Sequence, residues 1–325
     1  MKAEILRLLR ETNGYVSGQE LCEQFGVSRT AVWKAIKQLQ AMGYEIEAVP
    51  NRGYFLKSAA DVLSKDEIAS LLHTQWIGKE LYCYDTIGST NARAKELAEQ
   101  ECENGTLVVA DQQTQGRGRR GRSWQTPPQM GIAMSLLLRP EISPGNASML
   151  TLVTALAVAN AITGLSGVEA MIKWPNDVVM NGRKVCGILT EMNAQFDYIS
   201  YIVIGIGINV HNEEFPEELS QMAGSILTES GKRIHRAELV ARIMAYFEQY
   251  YATFLETEDL TGMLEAYNQL LVNRGREVKV LDPKEPFSGK AVGITKKGEL
   301  MVDTWSSRKL VSSGEVSVRG IYGYV

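Results

Sequence analysis

Apolar residues along this chain repeat with different periods in three successive stretches, residues 1–60, 64–272 and 273–325. In the first, Ile5, Leu6, Leu8 and Leu9 form the stripe of a short helix. Ser17 and Glu20 stand at capping-box spacing ahead of a second helix from Leu21, and Gly26 suits the left-handed turn that ends it. Ser28 caps a third helix running to about Ala41, with Val32, Ile36 and Leu39 as its buried face. The period then changes to 2. Residues 44–49 read as a strand, residues 50–53 as a turn and residues 54–56 as a returning strand. Three helices and a hairpin predict a winged helix-turn-helix. Arg29, Trp33 and Lys37 share one face of its third helix, with Thr30 and Lys34 beside them and Ser28 at its start, while Arg52 sits at the wing tip. Such a helix offers side chains to base edges in a major groove, and a wing arginine meets phosphate or the minor groove. A small interaction module with a solvated basic face would show the same helix spacing, but it would not require the wing. Polar residues 57–64 read as a linker.

In the second stretch, short apolar runs alternate with helical segments. Strands are expected at residues 81–84, 106–110, 132–138, 170–173, 178–180, 185–191 and 201–204, the last running on into Gly205-Ile206-Gly207-Ile208-Asn209. Helices are expected at residues 89–101, from residue 147, at 236–254 and at 260–271. Asn181-Gly182 is a two-residue hairpin turn. Strands meeting at hairpins with helices set apart predict an α+β mixed sheet rather than a doubly wound one. Residues 147–165 carry no charge, but Ser148, Thr151, Thr154, Asn160 and Thr163 interrupt them, so a buried core helix is the reading rather than a membrane span. The third stretch holds short strands at 277–281, 287–294, 300–304 and within 310–319, consistent with a small SH3-like β-barrel.

Composition narrows the function classes. With 34 Lys/Arg against 38 Asp/Glu, the net charge of −4 argues against a general polyanion binder. Residues 1–57 nevertheless hold eight Lys/Arg against six Asp/Glu, a balance of +2 that leaves −6 for the remainder. A nucleic-acid role therefore belongs to the N-terminal part. Four scattered cysteines, Cys22, Cys83, Cys102 and Cys186, form no Cys-x-x-Cys pair and indicate neither zinc nor a disulfide framework. With no secretory apolar core after Met1, the expectation is a reduced, cytoplasmic protein without a membrane partner.

The chemistry concentrates in Gly116-Arg117-Gly118-Arg119-Arg120-Gly121-Arg122. Guanidinium groups fork onto carboxylate or phosphate, and the glycines let the backbone approach a ligand closely. Gly116-x-Gly118-x-x-Gly121 matches the dinucleotide fingerprint formally, but Pro127 and Pro128 follow too soon for the helix that fingerprint needs. No Gly-Lys-Ser/Thr closes a Walker loop, and the kinase partners His-Arg-Asp and Asp-Phe-Gly do not occur. An Arg/Gly RNA-binding segment would be longer and repetitive. Two clusters join the loop: Lys173-Trp174-Pro175-Asn176-Asp177, where a nucleotide stacks and a metal is held, and Arg183-Lys184 after the Asn-Gly turn. Taken singly, a lysine after a turn is a solvated charge and a Trp-Pro pair is core. Only His73, His211 and His235 are present, and no Ser-His or Cys-His pair stands out. The set suits electrostatically stabilised transfer without a covalent enzyme intermediate.

Together these residues carry a family likeness. Ser89-Thr90-Asn91, Gln113, the Gly116 to Arg122 loop, Trp124, Lys173 to Asp177, the run from Arg183 to Leu189, Gly205 to Asn209 and the run from Gly314 to Arg319 follow the winged helix-turn-helix in order. The chain resembles bifunctional biotin–protein ligases that also act as the biotin operon repressor, over essentially its whole length. That likeness implies a class II synthetase-like catalytic domain. It also implies ATP and Mg2+, biotin as substrate, biotinyl-5′-adenylate as intermediate, and transfer of biotin to a lysine of a biotin carboxyl carrier protein, that of acetyl-CoA carboxylase. Carried over, Ser89, Thr90, Asn91 and Gln113 hold biotin, and Arg117, Gly118 and Arg119 close over biotin and phosphates. Lys184 contacts the biotin carboxylate and the α-phosphate. Arg119, Arg122, Trp124, Asn176, Lys184, Asn209 and Arg319 serve the nucleotide, with Asp177 on the metal. The expected catalytic set is Lys184, Arg117, Arg119 and Asp177, and residues 212–227 are expected to fold over the adenine. Operator DNA and a homodimer formed on adenylate binding complete the implied partners. A biotin sensor that does not ligate and a lipoate-type ligase are the alternatives; the intact arginine loop and Lys184 speak against the first, the loop and the fused winged domain against the second.

Overall fold

A computed structural model describes residues 1–12, 14–195, 198–282, 285–314, 317–320 and 324–325. Helices α1 (Lys2–Glu11), α2 (Gly18–Phe25) and α3 (Arg29–Ala41) precede the hairpin of β1 (Glu45–Val49) and β2 (Gly53–Ser58). The caps read from the sequence form: Ser17 Oγ accepts from the Glu20 amide, Ser28 Oγ accepts from the Ala31 amide, and Gly26 is left-handed at φ 63°. Val16 exchanges backbone hydrogen bonds with Tyr54, so it adds a third short strand to the wing. Gly53, at φ 109°, makes this possible; a Cβ there would lie 2.0 Å from the Val16 carbonyl oxygen. Ile5, Leu6, Leu9, Leu21, Val32, Ile36, Leu39 and Ile46 bury together as a separate core.

The stretch read as a linker is instead a junction. β2 runs on to Ser58, residues 59–64 carry no regular secondary structure, and the unforeseen helix α4 (Lys65–Leu71) follows. Arg7 of α1 donates to the carbonyls of Ala69, Ser70 and Leu72, where the end of α4 leaves acceptors unsatisfied. Glu67 is fully buried; it pairs with Arg10 at 2.5 Å and accepts from the Tyr44 hydroxyl at 2.6 Å. Sequence patterning missed this because the stabilising groups come from elements far apart in the chain.

The central sheet has seven strands: β3 (Leu81–Ile87), β4 (Leu107–Gln113), β5 (Gly131–Leu138), β6 (Met171–Lys173), β7 (Asp177–Met180), β8 (Arg183–Ala194) and β9 (Ile199–Asn209). Their order is β3-β4-β5-β9-β8-β7-β6, parallel only between β3 and β4. It is the mixed sheet the hairpin signals predict, and Asn181-Gly182 does turn β7 into β8, pairing Met180 with Arg183. One face is covered by α5 (Thr90–Glu99). The other packs on α6 (Leu150–Ser166), whose far side packs on α8 (Arg236–Thr257), the helix that follows the short α7 (Ile226–Ser230). The uncharged stretch is thus a core helix: Pro144–Ser166 is long and apolar enough to cross a membrane, yet α6 lies between the sheet and α8. After α9 (Leu264–Leu270) come β10 (Glu277–Leu281), β11 (Phe287–Ile294), β12 (Leu300–Asp303), β13 (Arg308–Val311) and β14 (Ser317–Gly320). They form an antiparallel sheet of order β13-β12-β11-β10-β14. Glu315 and Val316, part of the expected last strand, lie outside the described residues.

A second lock joins the winged part to the sheet. Arg236, 1 % exposed at the start of α8, donates from its amide and Nε to Asp61, both at 2.9 Å. Its Nη1 reaches Asp111 on β4 at 2.5 Å and the Gly131 carbonyl at 3.1 Å. Replacing Arg236 by Ala should lower unfolding stability by about 3 kcal/mol in urea titration, the low end for breaking a buried pair because Asp61 and Asp111 keep some contact with water.

Candidate active site

The alternation of β9 sorts its residues between two environments. Ile202, Ile204, Ile206 and Ile208 face α6 and the core. Tyr201 and Val203 pack under α5, and beyond them Gly205 and Gly207 leave that face bare. Cross-strand partners extend the bare strip: Gly207 pairs with Ala133 and Gly187, and Gly205 with Ser135 and Leu189. Leu189 apart, these are small residues, and they floor a trough. Its depth is used: a Cβ at Gly207 would lie 2.4 Å from the Trp124 ring, and one at Gly205 would lie 2.2 Å from Asn91 Oδ1.

The arginine loop crosses this trough. Gln113 bridges to Thr126 and Arg117 to Ser123, so the loop returns on itself as a narrow ribbon. The Gly118 amide donates to the Arg122 carbonyl at 2.7 Å, and the Trp124 amide to Gly116 at 2.9 Å. No helix follows, which bears out the rejection of a dinucleotide fold. Arg117 and Arg122 are exposed, while Arg119 is half-buried, donating to Asn176 Oδ1 at 3.0 Å and to the Ser313 and Gly314 carbonyls between β13 and β14. Burial lowers the Arg119 pKa against the pull of Asp177. One side chain therefore joins the loop, the central sheet and the C-terminal part.

At one end of the trough, Ser89 caps α5 and Gln113 Oε1 accepts from the Thr90 amide at 2.7 Å and its hydroxyl at 3.0 Å. Ser135 Oγ lies 2.8 Å from Thr90 Oγ1 and 2.6 Å from Asn91 Oδ1, and Asn91 donates to Glu191 at 2.7 Å. Asn91 thus spends its amide on the wall rather than presenting it to the cavity. Burial would push the Glu191 carboxyl up, but hydrogen bonds from Lys95 and Asn91 outweigh it and hold it low.

At the other end stands a buried charge cluster. Lys184 Nζ lies 2.5 Å from Asp177 Oδ1, Lys173 Nζ lies 4.0 Å from Oδ2, and the Tyr324 hydroxyl donates to Oδ2. Burial alone would raise the Asp177 carboxyl; Lys184 and Lys173 beside it, with hydrogen bonds from Lys184 and Tyr324, bring it below its usual range. Lys173 is pushed down by burial to about 8, despite the attraction of Asp177. Lys184 Nζ also sits 5.6 Å from the Trp124 ring centroid, facing the trough. An open groove of about 830 Å³ runs along β3 on the far edge of the sheet and contains none of the predicted residues.

Three profiles tile the chain: a helix-turn-helix domain over residues 2–55, the biotin/lipoate A/B protein ligase family over 83–209 and the biotin protein ligase C-terminal domain over 275–319. The bifunctional ligase/repressor BirA of Bacillus subtilis is 38 % identical over 98 % of both chains. The chain belongs to the BirA family of ligase/repressors. The BirA of Escherichia coli is 31 % identical over 93 % of this chain and 92 % of that one. A biotin protein ligase from Aquifex aeolicus, solved with biotin and ATP, is 33 % identical and superposes with TM-score 0.67, covering 74 % of this chain and 99 % of that one.

Within this BirA-family chain the structure brings most predicted residues together. Ser89, Thr90, Gln113, Arg117, Gly118, Arg119, Trp124, Asn176, Asp177 and Lys184 border the trough, and Arg319 approaches from β14 closely enough to bear on Lys173. Three expectations change. Trp174 is 1 % exposed, its indole donating to the Gly298 carbonyl at 2.9 Å, so it is core and offers no face for a base. Asn209 is buried and donates to the Gly224 carbonyl, where it pins residues 212–227 against β8 and β9; the Lys184 amide adds a bond to Met222. The metal role for Asp177 does not fit: its oxygens face two ammonium groups and a phenol, whereas Mg2+ needs free oxygen donors. Among the described residues, no group of three His, Cys, Asp or Glu could hold a metal ion. Sequence reasoning left Ser135, Glu191 and Tyr324 out and gave Lys173 no role. Ser135 was legible as the one polar residue in an apolar strand; the others carried no local signal.

If burial and Asp177 oppose each other as described, NMR titration of ε-13C-labelled lysine should show one residue with a midpoint near pH 8. Asp177→Asn should move that midpoint lower still, because it removes the group that favours the charged form.

Proposed function

We propose that this protein is an ATP-dependent biotin–protein ligase that also represses transcription through its winged helix-turn-helix. The observation that carries this is the trough itself: a floor of glycines under the arginine loop, closed at one end by hydrogen-bonding groups and at the other by Lys184, Lys173 and Asp177. The absence of side chains on its glycine floor suits a flat bicyclic head and an alkyl chain, with the carboxylate delivered to Lys184. In the first half-reaction the biotin carboxylate oxygen attacks the α-phosphorus of ATP, and the bond to the β-phosphate oxygen breaks to release pyrophosphate. In the second, the ε-amine of a carrier-protein lysine attacks the acyl carbon of biotinyl-5′-adenylate; AMP leaves and the amine loses a proton.

Negative charge gathers at the α-phosphate in the first step and on departing AMP in the second. Lys184 is placed to neutralise it, with Lys173 and Arg319 supplying background field and Arg117, Arg119 and Arg122 enclosing the phosphates. In a site shielded from water such preorganised charges act far more strongly than in solution. Asp177 keeps both lysines near one point without a ligand.

The DNA half rests on exposure. Arg29, Thr30, Trp33, Lys34 and Lys37 all project from the solvent face of α3, Trp33 with half its surface exposed rather than packed on the wing. Arg52 extends from the wing, its guanidinium 4.4 Å over the Tyr15 ring. Operator DNA, the carrier domain of acetyl-CoA carboxylase and an adenylate-dependent homodimer are the partners proposed. Biotinyl-5′-adenylate then serves as intermediate and corepressor.

Intact mass of a purified biotin carboxyl carrier domain, incubated with this protein, biotin and Mg·ATP, should show one biotin adduct, and lipoate in a parallel reaction should give none. Lys184→Ala should slow that reaction about 10²–10³-fold, the usual loss when one donor to a developing charge is removed; normal turnover would remove Lys184 from the mechanism. Arg29→Ala with Lys34→Ala should abolish operator retention in gel-shift assays while biotinylation persists.

A further inference from the structure

Tyr324 belongs to none of the motifs that mark the site, yet it reaches the centre of it. Its hydroxyl donates to Asp177 Oδ2, and Lys173 Nζ lies 3.8 Å from its ring centroid. Val325 follows onto the β7–β8 turn, where its Cγ2 would lie 3.3 Å from a Cβ on Gly182. Two contacts therefore tie Tyr324 to Asp177 and to the lysine on the neighbouring strand, and Val325 lies beside the turn of the hairpin that carries Asp177 and Lys184.

The two oxygens of Asp177 are divided as a result. Oδ1 takes Lys184 at 2.5 Å, Oδ2 takes the phenol, and Lys173 stands off at 4.0 Å. A carboxylate with one oxygen free can turn and share both ammonium groups; one held by a phenolic donor is fixed in rotation. We infer that Tyr324 is a positioning residue for adenylate formation: by holding Oδ2 of Asp177 and covering Lys173, it confines Lys184 to Oδ1 and keeps its ammonium on the trough side. The inference rests on the ligase reading of the site. Tyr324 is suited to remain a donor, since burial and the adjacent Asp177 charge both raise its pKa well above the ordinary phenol value. The charged groups that bear on Lys173 are Asp177, Lys184 and, from the loop and β14, Arg122 and Arg319. Of these groups, Tyr324 lays its ring against Lys173, which is itself buried.

The test is steady-state pyrophosphate release by the full chain with biotin and Mg·ATP, comparing wild type with Tyr324→Phe and Tyr324→Ala. Tyr324→Phe keeps the ring and loses only the hydrogen bond to a charged group. It should lower kcat about tenfold while KM for biotin and for ATP stays within about twofold. Tyr324→Ala should also move the Lys173 midpoint upward from about 8, because water then reaches the ammonium, whereas Tyr324→Phe should leave exclusion of water intact. An unchanged kcat in Tyr324→Phe overturns the inference. So does a raised KM with kcat intact, which would make Tyr324 a substrate contact. An inactive wild type overturns the ligase reading together with this one, whereas an active wild type beside an unaffected Tyr324→Phe overturns only this one.

Discussion

A β-sheet sealed on one face, and on the other covered by α5 only as far as a strip of glycines, is the constraint from which the rest of this molecule follows. β9 meets it with a single alternation: isoleucines on the side of α6 and α8, and on the other side Tyr201 and Val203 giving way to Gly205 and Gly207. Each isoleucine contributes on the order of 1.5–3 kcal/mol by burial, so the core face anchors a strand whose opposite face contributes little. Because period 2 is strict, a slip of one residue would place glycine in the core and isoleucine in the trough. Fold and binding surface are therefore set by the same register.

The trough places charge at one end only. Asp177, Lys173 and Lys184 come from adjacent strands; the first two are buried and Lys184 is partly exposed, and the desolvation cost is offset by mutual attraction. Arg119, bonded to Asn176 and to the Ser313 and Gly314 carbonyls, makes the C-terminal sheet part of the same site. In the other direction, Arg236 links Asp61 beside the winged part to Asp111, two residues before Gln113. Ligand loop and DNA-binding element are thus attached to one rigid sheet, which suits a protein whose substrate chemistry and DNA binding report on each other.

Much of this was legible. The capping serines 17, 28 and 89, the Asn181-Gly182 turn and the apolar period each act within a few residues, and each was found where it was read. The arginine loop was read as a ligand loop from its guanidinium groups and glycines, and the two prolines that follow it excluded the helix a dinucleotide site requires. Errors fell where polar residues answer to distant partners. Residues 57–64 looked like a linker because Asp61 and Ala60 are polar or small, yet both bond to the start of α8. Trp174 beside a lysine and a carboxylate looked like a stacking platform, yet its neighbours in space are core.

By itself the sequence determined the local elements, the three-part order and the residue types gathered for phosphate and carboxylate chemistry, since propensity, capping and period depend on neighbours along the chain. Only the tertiary structure decided which charges meet. That Asp177 is taken by lysines and a tyrosine rather than left open for a metal depends on residues brought together over as many as 147 positions of chain. The energies of such contacts depend on burial and distance, and neither is written in the spacing of the residues that make them.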